Sequence, residues 1–384
     1  MAKRLVNFGV IGCGLMGREF ASAAARWLHL LNLEFTPQIV AVCDTVPAAM
    51  EWFQHNVPSV GLATTDYREL LADPSVEAVY CAVPHNLHEQ IYNDIIDAGK
   101  HLLGEKPFGI DLAANESIMA QIASHPDVFV RSSSQFPFHP GPYLIGQWIS
   151  EGRFGRVIDV EAGFWHSSDL NPQKKINWKR MIEMNGEYGC MGDLGLHVVH
   201  IPLRFGWRPA RLSALLAKIV TQRPDGKGNM VPCKTWDNAI LACEVDEGDY
   251  TFPMVVSTKR IAPGHGNTWF LRIMGTKLSV SFSTKNPKEI QWMPYDTPGQ
   301  DQAWRVMDLP YKTPYPTITG SIFEFGFSDS ILQMWAAFCD ELVNGADMVQ
   351  PFACATPQEA ADSHRIFTAA LDSHRERRVV TIEY

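Results

Sequence analysis

The sequence predicts an α/β protein in two domains: a parallel sheet with crossover helices over residues 1–135, then a sheet-based domain of antiparallel strands over residues 136–384. Three observations carry that reading. From residue 5 to about 131, short β-branched apolar runs alternate with longer segments of helical period, the pattern of parallel strands joined by helices. A glycine-rich hexapeptide, Gly12 to Gly17, stands at the first strand-to-helix junction. Beyond about residue 135 the rhythm changes to long apolar alternations separated by turn residues.

In chain order, the parallel strands are predicted at Val6 to Ile11, Gln38 to Cys43, Val76 to Ala82, His101 to Leu103 and Val128 to Val130. Asp66-Tyr67-Arg68-Glu69 and Asn86-Leu87-His88-Glu89 resemble capping boxes, and Gly99 stands where a glycine would end the helix begun near Leu87. Antiparallel strands follow at Leu212 to Val220, Ala239 to Val245, Thr251 to Thr258, Trp269 to Met274 and Lys277 to Phe282. Asn286 to Tyr315, rich in Pro, Gln and Asp, reads as a long surface excursion. Two late helices, Ile331 to Asn344 and Pro357 to His374, precede a last short strand at Val379 to Glu383.

Composition narrows the function. With 42 acidic against 33 basic residues and a net charge of −9, the chain has no global positive field to hold a phosphate backbone, so nucleic acid is not an expected partner. Lys3-Arg4, the apolar stretch to Met16 and Ala21-Ser22-Ala23 imitate a signal peptide, but glycines interrupt the stretch. No run reaches the ~18 apolar residues of a membrane span. The eight cysteines contain no C-x-x-C pair and lie largely in apolar runs, which predicts buried thiols in a reducing cytoplasm.

Gly12-Cys13-Gly14-Leu15-Met16-Gly17 follows a strand and opens a helix, the context a dinucleotide fingerprint requires. The first glycine permits the tight turn, the second lets a pyrophosphate approach the backbone, and the third lets helix and strand pack closely. Asp44 ends the second strand, where a carboxylate accepts from the ribose hydroxyls of NAD and repels the 2′-phosphate of NADP. It also stands where it could cap the helix after Val46-Pro47. Lys106, in Gly104-Glu105-Lys106-Pro107, lies at the carboxyl edge of the sheet, where open α/β folds bind ligands; a solvated loop cation is the alternative. Within Met191 to His200, Asp193 and His197 stand four apart. On a helix they share a face, so the carboxylate can hold the imidazole tautomer and stabilise its cation. The alternatives are satisfied core histidines and a helix-capping Asp193.

These motifs, with Val83-Pro84-His85-Asn86-Leu87-His88 and Trp178-Lys179, occur in the order seen in the Gfo/Idh/MocA (glucose-fructose oxidoreductase/inositol dehydrogenase) family. The chain resembles that family over nearly its whole length, Arg272 to Thr276 resembling its C-terminal sheet motif. The resemblance implies a Rossmann domain, then an α/β domain with a large, open, mainly antiparallel sheet whose exposed face commonly forms a homodimer or homotetramer. It implies NAD, with NADP disfavoured by Asp44, and a carbohydrate or polyol substrate. Carried over by position, Lys106 is the active-site lysine and Asp193 with His197 the catalytic dyad. Glu105, Pro84, Asn86 and His88 lie near the nicotinamide half, and Trp178 walls the substrate pocket. The sequence departs from the family at Ser132 to Pro140, where an aromatic and Arg-rich stretch is usual, and at His200, where Asp is common.

The expected activity is hydride transfer between a secondary hydroxyl and nicotinamide. Three alternatives stand beside it: a glycoside-processing enzyme that uses the same residues, retains NAD and oxidises transiently; a non-catalytic NAD-sensing regulator on the same fold, which can lose the catalytic residues present here; and a metal-dependent hydrolase on Asp193, His197, His200, His85 and His88. A cationic Lys106 would oppose a metal, and none is expected.

Overall fold

The structure, a computed structural model, describes residues 3–350 and 352–384. The chain divides into two compact units. The first holds Met1–Gly109, Ala113–His139 and Tyr311–Pro357; the second holds Ile110–Leu112, Pro140–Pro310 and Gln358–Tyr384.

The first unit is built on β1 (Arg4–Ile11), α1 (Leu15–Ala25), β2 (Phe35–Cys43), α2 (Pro47–Asn56), β3 (Leu62–Thr64), α3 (Tyr67–Ala72), β4 (Ala78–Cys81), α4 (His88–Asp97), β5 (His101–Gly104), α5 (Leu112–Ser124) and β6 (Val130–Ser132). Its six strands run parallel in the order β3-β2-β1-β4-β5-β6. That order reverses direction between β1 and β4, and ligands of open α/β sheets bind outside the carboxyl ends of the strands at such a point. The stretch that imitates a signal peptide supplies the sheet's inner strand β1, with Val6, Phe8 and Val10 fully buried. Strand β3 has only three residues and no sequence signal of its own.

The second unit follows with α6 (Pro140–Ser150), β7 (Val157–Trp165), α7 (Ile182–Asn185), α8 (Cys190–Arg204), β8 (Pro209–Ala217), β9 (Gln222–Pro224), β10 (Met230–Pro232), β11 (Asn238–Asp246), β12 (Thr251–Lys259), β13 (Thr268–Gly275), β14 (Leu278–Ser283), β15 (Glu289–Pro294) and β16 (Arg305–Asp308). Helix α9 (Phe327–Asn344) belongs to the first unit, α10 (Pro357–Glu376) and β17 (Val380–Thr381) to the second. The second sheet has nine strands in the order β16-β15-β14-β13-β7-β12-β11-β8-β17, antiparallel throughout except for β7 with β12. Buried α8 packs on β7, β11 and β12. Leu215 and Ile240, opposite each other across β8 and β11, are 59% and 41% exposed.

Three features differ from the sequence reading. Central strand β7 gave no clear alternation, because Asp159 and Glu161 stand among its apolar residues and the small Ala162 and Gly163 follow them side by side. The expected excursion at 286–315 contains β15 and the edge strand β16. Residues 311–357 cluster with the first unit, because α9 closes its core: Trp335 packs edge-on to Phe8 and stacks on Phe20. Among the described residues no helix is long and apolar enough to cross a membrane, and all eight cysteines are buried and unpaired with one another.

Candidate active site

The glycine loop has the geometry a dinucleotide needs. Gly12 takes φ +96°, and a Cβ there would lie 2.3 Å from the Ala82 carbonyl oxygen. A Cβ at Gly17 would lie 2.2 Å from the Gly12 carbonyl oxygen, so α1 starts in contact with the turn that feeds it. Gly14, by contrast, faces open space: a Cβ would meet nothing within 4 Å. It is also the N-cap of α1 and brings no side chain to the first-turn N–H groups, leaving the positive end of the helix dipole for an anion. Leu15 is exposed and Met16 half-buried. Cys13 is buried, its thiol pushed up to about 12 chiefly by burial, so it contributes through its backbone. Its N–H donates to Asp44 Oδ2 at 2.9 Å. Asp44 Oδ1 accepts from Val46 N–H at 2.9 Å, so the carboxylate ties the glycine loop to the entry of α2. The loop, the uncapped helix and the half-buried carboxylate fit NAD.

At the ends of β4 and β5, buried side chains hold the segment that carries Lys106. Fully buried His88 stacks on Tyr92; its Nε2–H donates to Val83 O at 3.1 Å and its Nδ1 accepts from Gly109 N–H at 3.4 Å, which selects a neutral tautomer. Glu105 is buried. Tyr80 donates to its Oε1 at 2.7 Å and Tyr92 donates to its carbonyl at 2.8 Å. Burial holds both phenols well above their ordinary range, so they stay protonated donors. Lys106 is half-buried and precedes a cis peptide to Pro107. Just beyond, Asn115 donates to Phe108 O at 2.9 Å. Pro84 is half-buried and Asn86 exposed. Asn86 does not cap α4: residues 85–87 form a separate 3-10 turn, and the cap position falls on Leu87 without a side-chain bond. Asp66 does cap α3, accepting from Arg68 N–H, and Gly99 follows α4 at φ +70°.

In the second unit Asp193 occupies the first turn of α8 and His197 the next, both buried. Asp193 Oδ1 accepts from Lys179 Nζ at 2.8 Å, and Oδ2 accepts from Arg260 Nη1 at 2.5 Å. Lys179 comes from the turn Trp178–Arg180, whose N-cap Asn177 accepts from Lys179 N–H. Its ammonium lies 5.5 Å from the ring centroid of half-buried Trp178. Trp269 Nε1 donates to His197 O at 2.8 Å, anchoring the helix to β13. The Phe164 ring stands 5.7 Å from that of His197 and 4.7 Å from that of His166. Burial, reinforced by Arg260, lowers His166 to about 4, so it is neutral at ordinary pH.

His200 is fully buried and accepts from Arg204 Nη2 at 2.8 Å; burial lowers its pKa well below the usual range. It is a core acceptor on the face toward Glu359. Among the described residues, no three His, Cys, Asp or Glu side chains gather as a metal-holding group.

Sequence reasoning missed Arg260 and the contact of Lys179. Lys179 stood in a motif the resemblance had marked, next to Trp178. Arg260 had no local signal; only the pairing that brings the end of β12 beside β7 places it near α8.

The profile of the oxidoreductase family with an NAD-binding Rossmann fold matches residues 6–132. An uncharacterised oxidoreductase of Synechocystis sp. is 30% identical over 282 residues, 72% of each chain. The levoglucosan dehydrogenase of Pseudarthrobacter phenanthrenivorans is 24% identical over 307 residues, 74% of this chain and 75% of its own. Among solved structures, levoglucosan dehydrogenase in complex with NADH and levoglucosan superposes with a TM-score of 0.87 at 21% identity, covering 99% of this chain and 100% of that one. An oxidoreductase domain protein from Kribbella flavida gives 0.88 at 21% identity over the full length of both chains. The fold, the glycine loop and these relatives agree: the chain belongs to the Gfo/Idh/MocA oxidoreductase family, with an NAD-binding Rossmann fold as its first unit.

Proposed function

We propose that this protein is an NAD-dependent dehydrogenase acting on a secondary hydroxyl of a sugar, polyol or inositol-like substrate. The observation that carries the reading is the Asp193 carboxylate, held by Lys179 and Arg260 one helical turn before His197. A carboxylate with two cationic partners stays ionised, and an ionised carboxylate beside an imidazole favours proton uptake by the ring.

NAD, when bound, supplies the hydride acceptor. In the proposed reaction His197 removes the proton from the substrate hydroxyl and Asp193 stabilises the imidazolium. Lys106 donates a hydrogen bond to the oxygen as it gains negative charge. Asp44 takes the ribose hydroxyls and the glycine loop the pyrophosphate, with Pro84, Asn86, His88 and Glu105 shaping the nicotinamide end. Trp178 gives the substrate an apolar wall. The name of the levoglucosan dehydrogenase relative supports a carbohydrate-like substrate. The exposed Leu215 and Ile240 on the second sheet support a homodimer or homotetramer through that face. The burial of all eight thiols supports a reducing cytoplasmic location.

The test is NADH formation, read at the nicotinamide absorbance, with levoglucosan, hexoses and inositols as probes. Lys106→Met and His197→Ala should each lower turnover by ~10² or more with NADH affinity nearly intact. Near-normal turnover in either variant removes that residue from its role.

A further inference from the structure

Arg260 follows the last residue of β12, and its side chain is only 9% exposed. Nη1 donates to Asp193 Oδ2 at 2.5 Å, and Nε donates to Asp169 Oδ2 at 3.3 Å. Its main chain is fixed as well: its N–H donates to Asp237 O at 2.8 Å, and its carbonyl accepts from Asp169 N–H at 3.2 Å. Asp169 does not depend on Arg260 for neutralisation. Lys174 donates to its Oδ1 at 3.1 Å, and Arg180 lies 4.0 Å from its Oδ2. Charges therefore alternate along Lys179, Asp193, Arg260, Asp169 and Lys174, with the three inner groups buried.

Burying a guanidinium is costly unless its partners are fixed. Here the bridge spends that cost on one oxygen of the carboxylate that precedes His197. We infer that Arg260 is a positioning residue for the Asp193 and His197 pair, fixing the carboxylate and setting, through its charge, the pH at which His197 takes up a proton. The inference rests on the proposed role of that pair. Among the described residues, the other titratable or charged groups around this stretch of α8 include Lys179 and Arg180 from the turn at 178–180, His166 just after β7, Cys190, His200 and Arg204 on α8 itself, and Glu359 and His364 on α10. Burial and two cations keep His166 neutral above about 4, and burial keeps His200 neutral, so neither competes for the proton near neutrality.

The test is the titration of His197 in the full chain carrying 13C-labelled histidine, its resonance assigned by its absence from His197→Gln. In Arg260→Gln, Asp193 keeps Lys179 and meets less competition for the imidazolium, so the His197 midpoint rises by about half a unit or more. Arg260→Lys restores the charge and most of the shift. Asp169→Asn removes a carboxylate from the same line of charges and moves the midpoint down. Should Arg260→Gln not fold, Asp169→Asn and Arg260→Lys decide. Midpoints that stay at the wild-type value in Asp169→Asn and in every Arg260 variant that folds overturn the inference. The titration needs no substrate, so failure to find turnover on any sugar would count against the proposed function and leave this result standing.

Discussion

Lys179 and Asp193 meet at 2.8 Å, the ammonium 31% exposed and the carboxylate 2%. The pair joins the turn after Asn177 to the first turn of α8, and Arg260 completes it from the buried side. This arrangement gives Asp193 a structural duty besides its proposed catalytic one.

Asp193→Asn should therefore lose stability as well as activity. Removing one partner of a buried ion pair costs roughly 3–5 kcal/mol, and because Lys179 can turn to water and Arg260 retains Asp169, about 3 kcal/mol is expected. Urea unfolding of the variant beside wild type measures it. A variant as stable as wild type would show that the buried contacts contribute nothing net.

His139 gives the first unit a pH-dependent stability. It is buried, and burial lowers its pKa to about 4, against about 6.5 in an unfolded chain. Between those values the unfolded state binds the proton and the folded state does not. Stability is fully present above pH ~6.5 and falls on acidification, by about 2 kcal/mol from this group by pH 5. His166 acts in the same direction. His139→Gln should flatten, without abolishing, the fall in melting temperature between pH 7.5 and 5. An unchanged slope would mean that His139 titrates normally in the folded protein.

The first unit was legible in the sequence because its signals are local. Each strand of the fingerprint region is apolar over consecutive residues, and the glycines mark contacts a side chain would block, as the 2.2 Å approach at Gly17 shows. Asp66 capped where its spacing predicted; Asn86 did not, because the 3-10 turn at 85–87 displaced the helix start. Strand β7 was hidden by Asp159 and Glu161 and by the small residues Ala162 and Gly163 that break its alternation, although six of its residues pair with β12 and β13 at once. Of the residues proposed for catalysis, Asp193, His197 and Lys106 stood in recognisable motifs. Arg260 did not, since its partners lie 67 and 91 residues away and only the sheet brings them together.

The exposed pair on the second sheet predicts an interface. Leu215→Glu combined with Ile240→Lys should shift the protein to a smaller species in light scattering at micromolar concentration, with melting still cooperative. Exposed apolar pairs of this kind are compatible with a monomer when isolated, so an unchanged mass would remove this face from the assembly.

The most direct test of the account is the titration of wild type and Asp44→Ala with NADH and NADPH, followed by tryptophan fluorescence. Asp44 holds the glycine loop through Cys13 N–H and would face the ribose. Wild type should bind NADH at least about tenfold more tightly than NADPH, and Asp44→Ala should weaken NADH binding while narrowing that preference. Binding of neither nucleotide by wild type, or a preference unchanged by the substitution, would contradict it.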